Sequence, residues 1–296
     1  MTGVSFTLLF PGQGTEAVGM SAPWAGDEAW NATLEVAERH TGYPVRKLMA
    51  EGPVEDLRFQ RHAPCAVLAH SVGLYRAHRG AGMPVPAAAT GHSMGFFSAV
   101  VASGVVPLEA ALDLITAVEE ESEARFGAGA MGMAFVIGLS EDEVQAALTR
   151  HPELALSNRN GKAQFTVSGP KAALEAFVAE LRPSALKCGL LPVQLPLHGP
   201  HMVPLVPAVA RRLVGVATAN PDFPLISHFD GRLLRTGTEI WDEAIASPAL
   251  PVDWLRVVAA LKALGAPLAE CGFGSQLAGL TRWADRESAV RSLQVP

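Results

Sequence analysis

Gly91-His92-Ser93-Met94-Gly95 has the spacing that sets a serine on a sharp turn between a strand and a helix. A hydroxyl there stands at a helix N-terminus, where free N–H groups and partial positive charge favour a developing oxyanion. The chemistry this suggests is attack of Ser93 on an acyl carbonyl. A serine hydroxyl is a weak nucleophile until a base within hydrogen-bond reach takes its proton. The chain has nine histidines to supply that base. His40, His70, His78 and His151 fall on expected helix faces or ends and are read as solvated. His92 adjoins the serine but should point to the other side of the strand end. His198 and His201 lie together in Leu195-Pro196-Leu197-His198-Gly199-Pro200-His201-Met202, and the residue pattern leaves the choice between them open. Pro11-Gly12-Gln13-Gly14 closes a short apolar run and is a candidate backbone loop beside the nucleophile.

These residues need elements to hold them. The spacing predicts strands over 5–10 and 85–90, a helix over 64–79, a buried helix over 96–102 and another over 107–126. Strand–helix alternation of this kind points to a parallel sheet covered by helices. From 131 the texture changes, with strands over 133–139, 154–157, 164–167 and 186–195 and helices from Ser140 to about 151 and over 171–181. Asn158-Arg159-Asn160-Gly161 reads as the hairpin turn between the two middle strands. The order β-α-β-β-α-β is ferredoxin-like. The expected fold is therefore α/β, a large parallel-sheet domain over 1–130 and 196–296 with an inserted ferredoxin-like subdomain over 131–195. After 196, helices are expected over 202–214, 252–264 and 275–283, with strands over 224–227 and from 267.

Composition narrows the function classes. Hydrophobic residues make up 49% and charged residues 18%, enough to build a core and too apolar for disorder. A net charge of -6 provides no electrostatic basis for nucleic-acid binding. Cys65, Cys188 and Cys271 are widely spaced and odd in number, the usage of reduced thiols, with no metal-ligand spacing. No apolar run approaches the ~18 residues of a bilayer span, and the first residues do not have the pattern of a leader. A cytoplasmic protein with no membrane partner is expected.

Taken together, the motifs resemble the malonyl-CoA:acyl carrier protein transacylases and the related acyltransferase domains of polyketide synthases. The resemblance runs through Phe10-Pro11-Gly12-Gln13-Gly14, Gly91-His92-Ser93-Met94-Gly95, Asn158-x-Asn160 with Gln164 and Ser168-Gly169, Leu191-Pro192-Val193 leading to His198, Pro251-Val252-Asp253-Trp254, and Glu270-Cys271-Gly272-Phe273-Gly274 with Leu277 and Gly279-Leu280. It implies an α/β-hydrolase-like large domain, Ser93 as acylated nucleophile, His198 as general base, and the N–H groups of Gln13 and Met94 as oxyanion hole. It implies too that a backbone carbonyl at the position of Asp253 orients the histidine. The carboxylate of Asp253 could hold the imidazole as well, in a Ser-His-Asp arrangement, or it could simply begin a helix. His92, Phe96, Val118, Asn160 and Leu197 are the expected substrate-binding positions. The substrates implied are acyl thioesters of coenzyme A or phosphopantetheine, the partner an acyl carrier protein, with no permanently bound cofactor or metal and a monomeric enzyme.

Two positions depart from that pattern. Malonyl-using members carry an arginine that pairs the substrate's free carboxylate, and here the matching residue is Val118, followed by Glu119, Glu120, Glu121 and Glu123. Arg125, nearly two turns on, is a poor substitute. Phe96 stands where glutamate usually follows the serine motif. The segment before the base, Leu195-Pro196-Leu197-His198, matches neither the malonyl nor the methylmalonyl tetrapeptide. The expected activity is ping-pong acyl transfer with a preference for uncharged acyl groups. The alternatives are an acyl hydrolase of the same family that clears carrier proteins, and a non-catalytic carrier-protein-binding subunit. An ordinary α/β-hydrolase esterase is disfavoured, because its acid normally precedes the histidine whereas Asp253 follows His198.

Overall fold

A computed structural model describes residues 6–59 and 61–295; Ser5, part of the first expected strand, lies outside the described residues. Strand β1 (Thr7–Phe10) is followed by helices α1 (Glu28–Thr41), α2 (Val45–Glu51), α3 (Val54–Leu57) and α4 (Ala63–Gly80). Then come β2 (Ala88–Gly91), α5 (Gly95–Ala102) and α6 (Leu108–Phe126). The β-α-β-β-α-β run is β3 (Met131–Ile137), α7 (Glu141–Leu148), β4 (Ala155–Gly161), β5 (Gln164–Pro170), α8 (Lys171–Leu181) and β6 (Lys187–Leu190). The chain continues through α9 (Val206–Arg212), β7 (Leu225–Ile226), β8 (Leu233–Leu234), α10 (Gly237–Ala246) and β9 (Val252–Asp253). It ends with α11 (Trp254–Leu264), β10 (Leu268–Glu270), α12 (Gln276–Ala284) and β11 (Val290–Ser292).

The larger sheet has the order β11-β10-β1-β2-β7-β8, parallel throughout except for the last pair. Its central strand is apolar on both faces because helices cover both. Leu8 and Phe10 enter the core beneath α4 and α5, while Leu9 packs on the other side with Trp254, Val257 and Leu277. The smaller sheet has the order β6-β3-β5-β4-β9, and its first four strands are antiparallel, as in a ferredoxin-like unit. Helices α7 and α8 close its core around Phe165, Val167, Leu174 and Phe177. Ser140 and Glu143 form the capping box that starts α7.

Several boundaries differ from the sequence reading. Asn158 to Gly161 belong to β4, and the turn is Lys162-Ala163; the two asparagines are buried in the sheet rather than exposed at a hairpin tip. The strand expected over 133–139 stops at Ile137, because Gly138 turns the chain with φ 97°. The last strand of the unit shrinks to Lys187–Leu190. The helix expected over 202–214 is a 3₁₀ turn, Pro200–Leu205, followed by α9, since Pro204 and Pro207 cannot donate to a continuous helix. Val252 and Asp253 lie ahead of α11, which Asp253 caps, rather than within it, and pair in parallel with Asn158 and Arg159, stitching the smaller sheet to the chain that follows it.

Candidate active site

Ser93 follows β2 with φ 54°, left-handed backbone in a residue that is not glycine. Packing forces the flanking glycines. A Cβ at Gly91 would lie 2.0 Å from the carbonyl carbon of Gly95, and one at Gly95 would lie 2.0 Å from the carbonyl oxygen of Phe10. Without a side chain, Gly91 lets the turn close on its own helix start and Gly95 lets it rest on β1. Strain at a residue of this kind persists where the surroundings over-determine it.

His198 is the second non-glycine residue with positive φ, at 61°, and it is buried. Its Nε2 lies 2.6 Å from Ser93 Oγ. Its Nδ1 lies 3.0 Å from the carbonyl oxygens of both Ser247 and Leu250. Carbonyls only accept, so the ring proton sits on Nδ1 and is shared between them, leaving the Nε2 lone pair to receive the serine proton. Burial, chiefly, and the nearby His92 push the imidazole down to about 4, against the two carbonyl contacts that raise it. Neutral His198 is the form a base requires.

Asp253 plays no part in this arrangement. Its carboxylate accepts the N–H of Arg256 at 3.1 Å as the cap of α11 and pairs with the Arg256 side chain at 3.4 Å. The carbonyls holding His198 come from the 3₁₀ turn Ser247–Ala249 and the Leu250 that follows it, just before β9, not from position 253. Both the carboxylate expectation and the position-253 carbonyl expectation are corrected. His201 faces away as well, with Nε2 2.8 Å from the Glu153 carbonyl.

A cavity opens above the pair, lined by Gln13, Met94, Phe97, Ile115, Val118, Glu119, Leu195, Leu197 and Pro248 besides Ser93 and His198. It has about 440 Å³ of free space open to solvent. The backbone N–H groups of Gln13 and Met94 have no acceptor among the described residues, so both are free to bind an oxyanion. Gln276 holds the loop that carries Gln13, accepting from the Gly12 N–H at 3.3 Å and donating to the Gln13 carbonyl at 3.4 Å.

Of the expected substrate contacts, Val118 and Leu197 line the cavity and the others do not. Phe96 is fully buried and stacks on His228, ring centroids 4.6 Å apart. His92 Nε2 meets Asn160 Oδ1 at 2.7 Å, with the His92 ring against Trp254, so these residues tie the elbow to β4 of the smaller sheet. Arg125 is exposed over the ring of Phe126 and does not reach the cavity lining. His70, expected in solvent, is buried and accepts from Trp30 Nε1 at 3.2 Å. Sequence reasoning missed Glu119 as a lining residue, the Ser247 and Leu250 carbonyls, and Gln276. It missed too the role of Glu270, whose buried carboxylate caps α12 through the N–H groups of Leu277 and Ala278. The helical spacing of Glu119 from Ile115 was the available signal for the first; the carbonyls carry none.

A strained serine elbow on a parallel α/β sheet, with a neutral histidine at hydrogen-bond distance, defines a serine-dependent acyl-transfer type of enzyme. Residues 7–262 match the model of the acyl transferase domain. The chain is 31% identical over 283 residues to the malonyl CoA-acyl carrier protein transacylase of Escherichia coli K12, covering 94% of this chain and 92% of that one. An acyl-carrier-protein S-malonyltransferase structure from Burkholderia pseudomallei superposes with a TM-score of 0.91 at 29% identity, covering 99% and 97% of the two chains. A type II polyketide malonyl-transacylase, solved in complex with its acyl-carrier protein, gives a TM-score of 0.91 at 26% identity over 99% and 96%. The chain belongs to the acyl transferase domain family and is an acyltransferase. Among the described residues no helix is long and apolar enough to cross a membrane, and no cluster of residues could hold a metal ion.

Proposed function

We propose that the protein moves an acyl group from a thioester to the phosphopantetheine thiol of an acyl carrier protein through an acyl-Ser93 intermediate. The observation that carries this is the 2.6 Å contact between Ser93 Oγ and a His198 whose tautomer is fixed by two carbonyls. His198 takes the serine proton as Oγ attacks the thioester carbonyl, the Gln13 and Met94 N–H groups receive the oxyanion, and the proton passes to the departing thiolate. The carrier-protein thiol then enters, gives its proton to His198 and attacks the acyl-serine, reversing the sequence. The transacylase relatives and the neighbour bound to its acyl-carrier protein support the choice of acceptor.

The acyl group favoured by this reading is uncharged. Val118 lines the cavity where the resemblance would place a carboxylate-binding arginine, and no cation lines the cavity among the described residues. A missing charge-assisted hydrogen bond costs about 1.5–3 kcal/mol, roughly ten- to a hundredfold in selectivity, while an alkyl tail gains about 0.8 kcal/mol per buried methylene. The test is intact mass after incubation with acetyl-, butyryl- and malonyl-CoA, followed by addition of holo carrier protein. The expected result is an adduct that is absent in Ser93→Ala, forms more slowly from malonyl-CoA, and is discharged by the carrier thiol. Faster labelling by malonyl-CoA than by acetyl-CoA would sink the substrate reading; discharge only to water would favour a hydrolase.

A further inference from the structure

Helix α6 presents Ile115, Val118 and Glu119 to the cavity, positions that share one helix face. Glu119 is 8% exposed. The acids that follow it are all paired, Glu120 and Glu121 with Arg212, and Glu123 with Arg61. Glu119 has no hydrogen bond and no ion pair among the described residues. Arg61 is near enough to act on it through charge, but its guanidinium is engaged by Glu123; Tyr43, Cys65, Glu120 and Glu123 are the other ionisable groups that it feels or that feel it. Burial, followed by the nearby glutamates and against the pull of Arg61, pushes the Glu119 carboxyl up to about 8. In its protonated form, which burial favours, it is an O–H donor with no acceptor among the described residues, in a cavity whose other side-chain walls are mostly apolar.

We propose that Glu119 is a specificity-determining residue of this cavity, selecting acyl groups that bear an uncharged hydroxyl or oxo oxygen over plain alkyl groups and over carboxylates. The proposal rests on the reading of Ser93 as the acylated residue. A buried donor keeps its desolvation penalty until an acceptor arrives, and an oxygen on the acyl chain supplies one that an alkyl chain lacks. A carboxylate could accept the same hydrogen bond, but one neutral donor offsets little of the cost of stripping a full charge of water. Sites built around such a donor reject analogues that leave it unpaired more strongly than apolar pockets reject a change of size.

The experiment measures the rate of Ser93 acylation from butyryl-, 3-hydroxybutyryl-, 4-oxopentanoyl-, malonyl- and β-alanyl-CoA in the unmodified protein, Glu119→Leu and Glu119→Gln. The unmodified protein should favour the two oxygen-bearing neutral groups over butyryl by about tenfold. That ratio should fall to near one in Glu119→Leu and largely survive in Glu119→Gln, whose amide still donates. Glu119→Ala carries the same expectation as the leucine variant should the latter not fold. A ratio near one in the unmodified protein, or a ratio unchanged in Glu119→Leu, overturns the proposal while leaving acylation of Ser93 intact. Preference for malonyl-CoA overturns it in favour of Arg61 turning inward; preference for β-alanyl-CoA overturns it in favour of an ionised Glu119. No adduct on Ser93 from any thioester removes the reading beneath it as well.

Discussion

Replacing Asp253 separates two ways of holding a catalytic imidazole. If a carboxylate orients His198, Asp253→Asn should lower turnover by about 10⁴, the size of that loss in a Ser-His-Asp site. The structure has the Nδ1 proton on the carbonyls of Ser247 and Leu250 instead, and the Asp253 carboxylate on the Arg256 N–H. Asparagine caps a helix about as well as aspartate, so Asp253→Asn should leave both stability and acylation rate close to those of the unmodified enzyme. Asp253→Ala loses the cap, about 1 kcal/mol, and an ion pair to a mostly exposed Arg256 that adds little. In a chain of this size that is a fall in Tm of about 2 °C, with the rate per folded molecule within about threefold of the original. Thermal unfolding and single-turnover acylation of the three proteins measure both quantities. A hundredfold drop in rate for Asp253→Asn at unchanged Tm would refute the reasoning.

His198→Ala should slow acylation by about 10³ or more, while His201→Ala, whose ring hydrogen-bonds the Glu153 carbonyl, should leave it within severalfold; the reverse order would reassign the base. Because the imidazole is held down to about 4, it stays neutral as pH falls through its ordinary value near 6.5. The rate of acylation should therefore hold from pH 7 to about 5 and decline only near pH 4, and a limb at 6.5 in the pH–rate profile would contradict this. Val118→Arg should raise malonyl- relative to acetyl-CoA labelling, less than the full ten- to hundredfold of a new ion pair because Glu119 stands beside it; Val118→Arg combined with Glu119→Gly should raise it further. An unchanged ratio in competition labelling of both would mean that residue 118 does not face the acyl group.

Much of the architecture was legible in the sequence because it is written in local rules. The elbow announces itself through Gly91 and Gly95, since no other residue fits where the turn closes on itself and rests on β1. The capping box at Ser140 and Glu143 fixes the start of α7, and the change from buried strand–helix alternation to β-α-β-β-α-β separates the two sheets. Even the absence of an arginine at 118 could be read, because a missing charge needs no coordinates.

What the tertiary structure decided are the contacts between distant segments. Asp253 and the carbonyls of Ser247 and Leu250 lie within seven residues of one another, and a carboxylate is the obvious partner for an imidazole by residue type. Side-chain chemistry is visible in a sequence, but a backbone carbonyl belongs to every residue, so only folding can reveal which ones converge on His198. Asn160 read as a turn residue for the same reason: its partner, His92, is 68 positions away. Nothing in the sequence set Glu119 apart from the acids that follow it; packing placed Arg212 and Arg61 on its neighbours and left Glu119 lining the cavity. Sequence specifies which groups exist and the period on which they repeat; burial and long-range pairing, which set their protonation and their partners, arise only when the segments meet.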